Sequence, residues 1–169
     1  MKKPIALFFV PMLILSACQK ENKLNEAEFK ALMNQVAIGW STQNTTLALS
    51  SFDVDAIYME PPNIQYYQGH DQLRPYFDEL TEAYKMKFHR LWFDTQTQTG
   101  AGEYTFSYEK DSADTGTVVV ELKNGKIIFW REYQRKGPAD FKDYLRIDNK
   151  EWEWHIGNYP EPKDSLPSK

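Results

Sequence analysis

The sequence predicts an α+β domain whose helices come ahead of a curved antiparallel sheet. Up to about Tyr84 the apolar residues recur at helical spacing, and from Lys85 the period changes to two. The pair Asn124-Gly125 stands between two alternating apolar runs, and a two-residue hairpin turn needs such residues because both central positions take positive φ. A sheet following helices in this order buries one face against them.

The first helix is announced by Asn25-Glu26-Ala27-Glu28, a cap residue with glutamate at the third position after it. Its apolar stripe is Phe29, Leu32, Met33, Val36 and Trp40. A shorter helix follows Asn44 through Leu47, Ala48 and Leu49. The segment Asp55-Ala56-Ile57-Tyr58-Met59-Glu60 reads as a strand stopped by Pro61-Pro62, since proline cannot donate to a sheet ladder. Gly69-His70-Asp71 opens a third helix carrying Leu73, Phe77, Leu80 and Tyr84, with its regular part expected to start around residues 71–74 because of Pro75. Four strands follow. Met86, Phe88, Arg90 and Trp92 alternate with Lys85, Lys87 and His89; Tyr104, Phe106 and Tyr108 alternate with Glu103, Thr105 and Ser107; residues 117–122 and 126–134 flank the hairpin turn.

The N-terminus has its own logic. Lys2 and Lys3 precede an apolar run, residues 4–15, that is too short to span a bilayer, the pattern of a signal peptide. Leu15-Ser16-Ala17-Cys18 resembles the lipobox of bacterial lipoproteins. That resemblance implies cleavage before Cys18, acylation of its thiol, and anchoring on the cell envelope, with Gln19 fitting the outer membrane. Cys18 is the only cysteine, so the folded part has no thiol for disulfides, nucleophilic catalysis or metal binding. Removing residues 1–17 takes away two lysines and no acid, so the formal charge of −4 becomes −6. An acidic domain gains nothing electrostatically from nucleic acid. The expected layout is signal peptide 1–17, tether 18–24, domain 25–135, an extension 136–159, and a disordered tail 160–169 rich in proline and charge. The extension contains Trp152 and Trp154 and is expected to pack over the domain, close its mouth or make a homodimer contact.

Several stretches together resemble one superfamily: Phe52 to Pro62, then Tyr67-Gln68-Gly69-His70, Asn124-Gly125-Lys126-Ile127, and Trp130-Arg131-Glu132-Tyr133. They are similar to the nuclear transport factor 2-like proteins, nearest to the SnoaL-like branch. The resemblance implies a cone-shaped, cystatin-like fold enclosing a mostly apolar pocket, and it leaves activity open. Similar proteins include ketosteroid isomerases, polyketide cyclases, limonene-epoxide hydrolases and non-catalytic binders.

Enzymes of this fold work through carboxylates, histidines or tyrosines sheltered from water. Glu132 is the leading candidate, either as a buried base or as a solvated, ion-paired surface group. Its segment resembles the Trp-Arg-Asp-Tyr of limonene-epoxide hydrolases, but the positions expected to hold the partner arginine and aspartate are Tyr104 and Phe106, so that triad is absent. His70 is the second candidate, as a donor or merely a helix-start residue. Asp53 and Asp55 read as turn formers at a strand entry. Tyr58, Trp92, Tyr104, Phe106 and Trp130 are the expected pocket lining. His70, His89 and His155 lack metal-binding spacing, so no metal and no cofactor are expected. Three functions follow: a lipid-anchored binder of a small, mostly apolar molecule; a cofactor-free isomerase, dehydratase or cyclase using Glu132; or an interaction module. A cavity under roughly 300 Å³ points to the third, because drug-sized ligands fill more than that.

Overall fold

The computed structural model describes residues 21–108 and 112–138. The signal peptide, Cys18, the start of the tether, His155, and most of the extension and tail lie outside the described residues. Helix α1 spans Glu26–Ser41, α2 Thr45–Leu49 and α3 Gly69–Asp78. The strands are β1 Phe52–Glu60, β2 Gln65–Gln68, β3 Lys85–Asp94, β4 Thr99–Ser107, β5 Ser112–Lys123 and β6 Lys126–Pro138.

The α1 start forms as its sequence requires: Asn25 accepts from the amides of Ala27 and Glu28 while Glu28 reaches back to the Asn25 amide at 2.8 Å. Phe29, Met33, Val36 and Trp40 are buried along one stripe, and Leu32 borders it. At about 1.5–3 kcal/mol for each large side chain removed from water, that stripe rather than helix propensity holds α1 on the sheet. Gly39 lets α2 pass across α1, because a Cβ there would stand 2.6 Å from the Ala48 nitrogen. Gly39→Ala should lower stability by about 2 kcal/mol through overpacking against backbone, read as a lower urea midpoint with unchanged slope.

Helix α3 opens at Gly69 as expected, but it is regular from there with Pro75 inside it and ends at Asp78, so Leu80 and Tyr84 lie beyond it. Gln72 caps its start by accepting from the Gln68 amide at 2.8 Å. Pro61–Asn63 form a single tight turn after β1, and the short edge strand β2 is an element the sequence reading lacks.

The six strands lie in the order β2-β1-β6-β5-β4-β3. β3 to β6 form the expected meander, but the sheet is not wholly antiparallel: β1 runs parallel to β6, with Tyr58 beside Trp130 and Met59 beside Arg131. The first strand thus closes on the last. On β4 the inward positions Gly100 and Gly102 leave room for Phe29 of α1 and for Phe88 and Leu91 of β3.

A bulge in β3 changes which residues face the core. Phe88 pairs with Tyr104 but Arg90 with Glu103, so His89 is an extra residue on β3. One extra residue reverses the parity of everything after it. Leu91 and Phe93 therefore pack against the core, and Trp92 points away with 50% of its surface exposed.

Candidate functional site: a buried pair of carboxyls in the cone

Parallel pairing of β1 with β6 determines the site. Ala56, Tyr58 and Glu60 share the inward face of β1, and Trp130, Glu132 and Gln134 that of β6. Tyr58 and Trp130 stand opposite each other, so two residues further along each strand the carboxyls of Glu60 and Glu132 enter the same space. Each residue is only 2% exposed. Two buried carboxyls side by side are unusual, since charged groups leave water only when paired or neutralised.

Glu60 is surrounded by donors. Its Oε1 accepts from Tyr58 at 2.9 Å and Tyr76 at 2.7 Å, and its Oε2 accepts from Asn63 at 2.8 Å and Gln134 at 3.0 Å. Glu132 is served far more poorly. Its Oε1 touches the Tyr58 hydroxyl, and its Oε2 is buried with no hydrogen-bond partner. The Tyr58 hydroxyl has one proton but contacts both carboxyls. The proton count closes when Tyr58 donates to Glu60 and a protonated Glu132 donates to Tyr58.

Electrostatics agree with that count. Burial first, and then the nearby Glu60 charge, push the Glu132 carboxyl from an ordinary value of 4.5 up to about 8, against a smaller lowering by Tyr58 and Tyr104. Burial and the carboxylates also raise the Tyr58, Tyr76 and Tyr104 hydroxyls, which stay protonated as donors. At neutral pH the site therefore holds a neutral acid, Glu132, beside a donor-saturated Glu60.

The aromatic setting fixes these groups. Tyr58 stacks on Trp130 at 6.0 Å and 10° between planes, Trp130 in turn meets Trp40 at 5.8 Å, and Tyr76 meets Tyr58 at 5.5 Å. Tyr104 donates to Gln134 at 3.0 Å across Gly116, where a Cβ would come within 2.9 Å of the Tyr104 oxygen. Trp40, Glu60, Tyr76, Leu80, Tyr104, Phe106, Glu132 and Gln134 enclose a cavity of about 20 Å³, room for about one water molecule. The cone interior is filled by its own side chains, and most groups around the remaining space carry a polar atom.

Of the expected site residues, Glu132, Tyr58, Tyr104 and Phe106 come together. Trp130 supports them from the core without bordering the cavity. Trp92 does not belong: it lines an open groove of about 580 Å³ on another part of the surface, with Phe29, Lys30 and Phe93. That groove has the volume of a ligand pocket but no buried convergent polar group. His70 is removed from the cluster as well, since its Nε2 lies 3.2 Å from the Phe52 carbonyl oxygen and ties α3 to β1. Asp53 and Asp55 lie inside β1 rather than in a turn before it, and Asp53 accepts from the Asp55 amide at 3.1 Å. Glu132 is no surface group. Glu60, Asn63, Tyr76 and Gln134 were missed; the parity Ala56-Tyr58-Glu60 was a signal, masked by treating Glu60 as the end of a strand before two prolines.

No protein-family model matches the chain, and no curated protein does. Solved structures do. A protein of unknown function with a cystatin-like fold from Methylobium petroleophilum superposes with a TM-score of 0.60 at 16% identity, over 82% of this chain and 99% of that one. A SnoaL-like protein of unknown function from Burkholderia thailandensis gives 0.57 at 10% identity over 67% and 98%. An LEH-like epoxide hydrolase of M. tuberculosis gives 0.54 at 14% identity over 64% and 84%. The chain has the nuclear transport factor 2-like, or cystatin-like, α+β fold. At such identities the likeness is one of fold.

Proposed function

We propose that this chain is an extracytoplasmic domain, lipid-anchored on the cell envelope through Cys18, that binds a small molecule in its cone at Glu132. The ligand presents a hydrogen-bonding group to the carboxyl pair and an apolar body to Trp40, Leu80 and Phe106. The observation that carries this reading is the orphaned Glu132 Oε2: a buried oxygen without a partner costs about 1–3 kcal/mol, and Glu132 borders a polar cavity inside the cone. A donor on the ligand satisfies it. Binding needs Leu80 and Phe106 to swing outward, because the closed cavity of about 20 Å³ admits nothing larger than water. The expected apolar pocket is not open in this structure: a cone cavity of about 20 Å³ falls far below roughly 300 Å³ and by size favours the interaction module, so the binding reading applies to the opened cone.

A second reading, that of a cofactor-free acid–base enzyme, is favoured by the asymmetry of the pair. A neutral acid at Glu132 beside Glu60 is an arrangement able to donate a proton and take one back, and an acid held at about 8 is matched to neutral pH. Native mass spectrometry of the chain purified from its own cells tests the binding reading. The expected result is a co-purifying small molecule that is lost in Glu132→Gln. A chain that carries nothing, with Glu132→Gln changing no turnover in assays of isomerase, dehydratase or cyclase substrates, would leave the filled cone as a protein-interaction scaffold.

A further inference from the structure

Three rulers show that the end where the chain enters the domain and the site are at opposite poles. The chain enters the domain at one pole, where Leu24 exchanges hydrogen bonds with the Gln98 side chain at 2.8 and 3.0 Å and Lys23 reaches the Gln96 carbonyl oxygen at 3.0 Å. Asn22 lies over Gly125 of the β5–β6 hairpin at the same pole. From there α1 runs from Glu26 to Trp40 at the cavity, about 21 Å at 1.5 Å per residue. Strand β6 runs from Lys126 to Glu132, about 20 Å at 3.4 Å per residue. Strand β4 runs from Thr99 to Phe106, about 24 Å, and reaches Ser107 at about 27 Å. Beyond the cavity lie Tyr84, stacked on Phe106 at 5.3 Å, and Tyr108, tilted against it at 6.4 Å, so the rim is the part furthest from the entry pole.

We infer that the cone opens away from the membrane that holds the chain, so the site takes a water-soluble molecule from the aqueous compartment and not a lipid drawn from the bilayer. The inference rests on acylation of Cys18 as proposed above. Five residues lie between Cys18 and Leu24, and the six Cα-to-Cα steps reach at most about 21 Å. That is shorter than the roughly 27 Å from entry pole to rim, so the domain can lean on its tether but cannot turn its mouth onto the lipid. The polar cavity fits the same class of ligand. A wholly apolar lipid tail leaves Glu132 Oε2 as unsatisfied as it is without a ligand, whereas a soluble molecule with a donor group pairs with it.

Orientation is measurable without knowing the ligand. The full chain is produced in a bacterium that processes it and reconstituted into vesicles of phosphatidylethanolamine and phosphatidylglycerol containing a headgroup spin-labelled lipid. A fluorophore is placed at Gln96→Cys, at the entry pole, or at Glu82→Cys, at the rim; both positions are exposed and neither borders the cavity. Quenching should be several-fold stronger at residue 96 than at residue 82. Equal or stronger quenching at residue 82 in an acylated chain overturns the orientation while leaving the anchor intact. An intact mass lacking the acyl groups, with binding to vesicles no better than Cys18→Ser, removes the anchor and this inference together.

Discussion

Glu132→Gln should make the protein more stable at pH 9, by on the order of 5 kcal/mol, while changing it little at pH 5. The folded state holds the Glu132 proton up to about 8, whereas the unfolded chain gives it up near 4.5. Between those values the folded state binds the extra proton, so wild-type stability falls as pH rises through the window and levels off above it. About 3.5 pH units at about 1.4 kcal/mol each give the stated size, a large share of the 5–15 kcal/mol that holds a typical domain together. Glutamine has the same shape, carries no charge at any pH and donates to Tyr58 through its amide nitrogen as the protonated carboxyl does. Urea unfolding of both proteins from pH 5 to 9 isolates Glu132 and the groups coupled to it, because titrating groups that do not interact with it cancel in the difference. Parallel curves for the two proteins would mean that Glu132 has an ordinary acidity. A substitution that stabilises the fold and abolishes ligand retention would mark Glu132 as kept for function at the expense of stability.

Trp130→Ala should cost about 3–5 kcal/mol, the usual range for removing a large buried aromatic. The ring is fully buried and contacts Trp40, Phe52, Tyr58 and Phe88. Its loss has a second consequence at the site. Tyr58 loses the surface it stacks on, water reaches the carboxyls, and the Glu132 acidity moves back toward 4.5 because burial is the main cause of its shift. Thermal or urea unfolding reads the first effect, and the flattening of the pH 5–9 stability profile reads the second. A destabilised protein that keeps the full pH dependence would show that the ring packs the core without sheltering the acid.

Local signals in this chain were legible where a short stretch decides the outcome by itself. The capping box at Asn25, the α1 stripe, the Asn124-Gly125 turn and the stop at Pro61-Pro62 are all contained within a few residues, and each forms as read. What depends on register or on distant pairing was not legible. The His89 bulge leaves no mark in the alternation of β3, so Trp92 was assigned to the wrong face. The parallel closure of β1 on β6 joins segments about 70 residues apart, and no local pattern states it. The site followed the same division. Glu132, Tyr58, Tyr104 and Phe106 emerged from strand parity and resemblance, whereas Glu60, Tyr76, Asn63 and Gln134 gather only once β1, α3 and the turn at 61–63 are arranged around β6. His70 drew notice as a histidine, yet its bond to the Phe52 carbonyl serves the joint between α3 and β1.

Protonation of Glu132 at neutral pH, shielded in the cone and joined to Glu60 through Tyr58, is tested most directly by carbon-13 NMR of the side-chain carboxyls in glutamate-labelled protein, with Glu132→Gln and Glu60→Gln used to assign the two signals. The Glu132 carboxyl is expected to titrate with a midpoint near 8, and the midpoint to drop in Glu60→Gln as the neighbouring charge is removed. A Glu132 midpoint near 4.5 that is indifferent to Glu60→Gln would show instead an ordinary, uncoupled carboxylate.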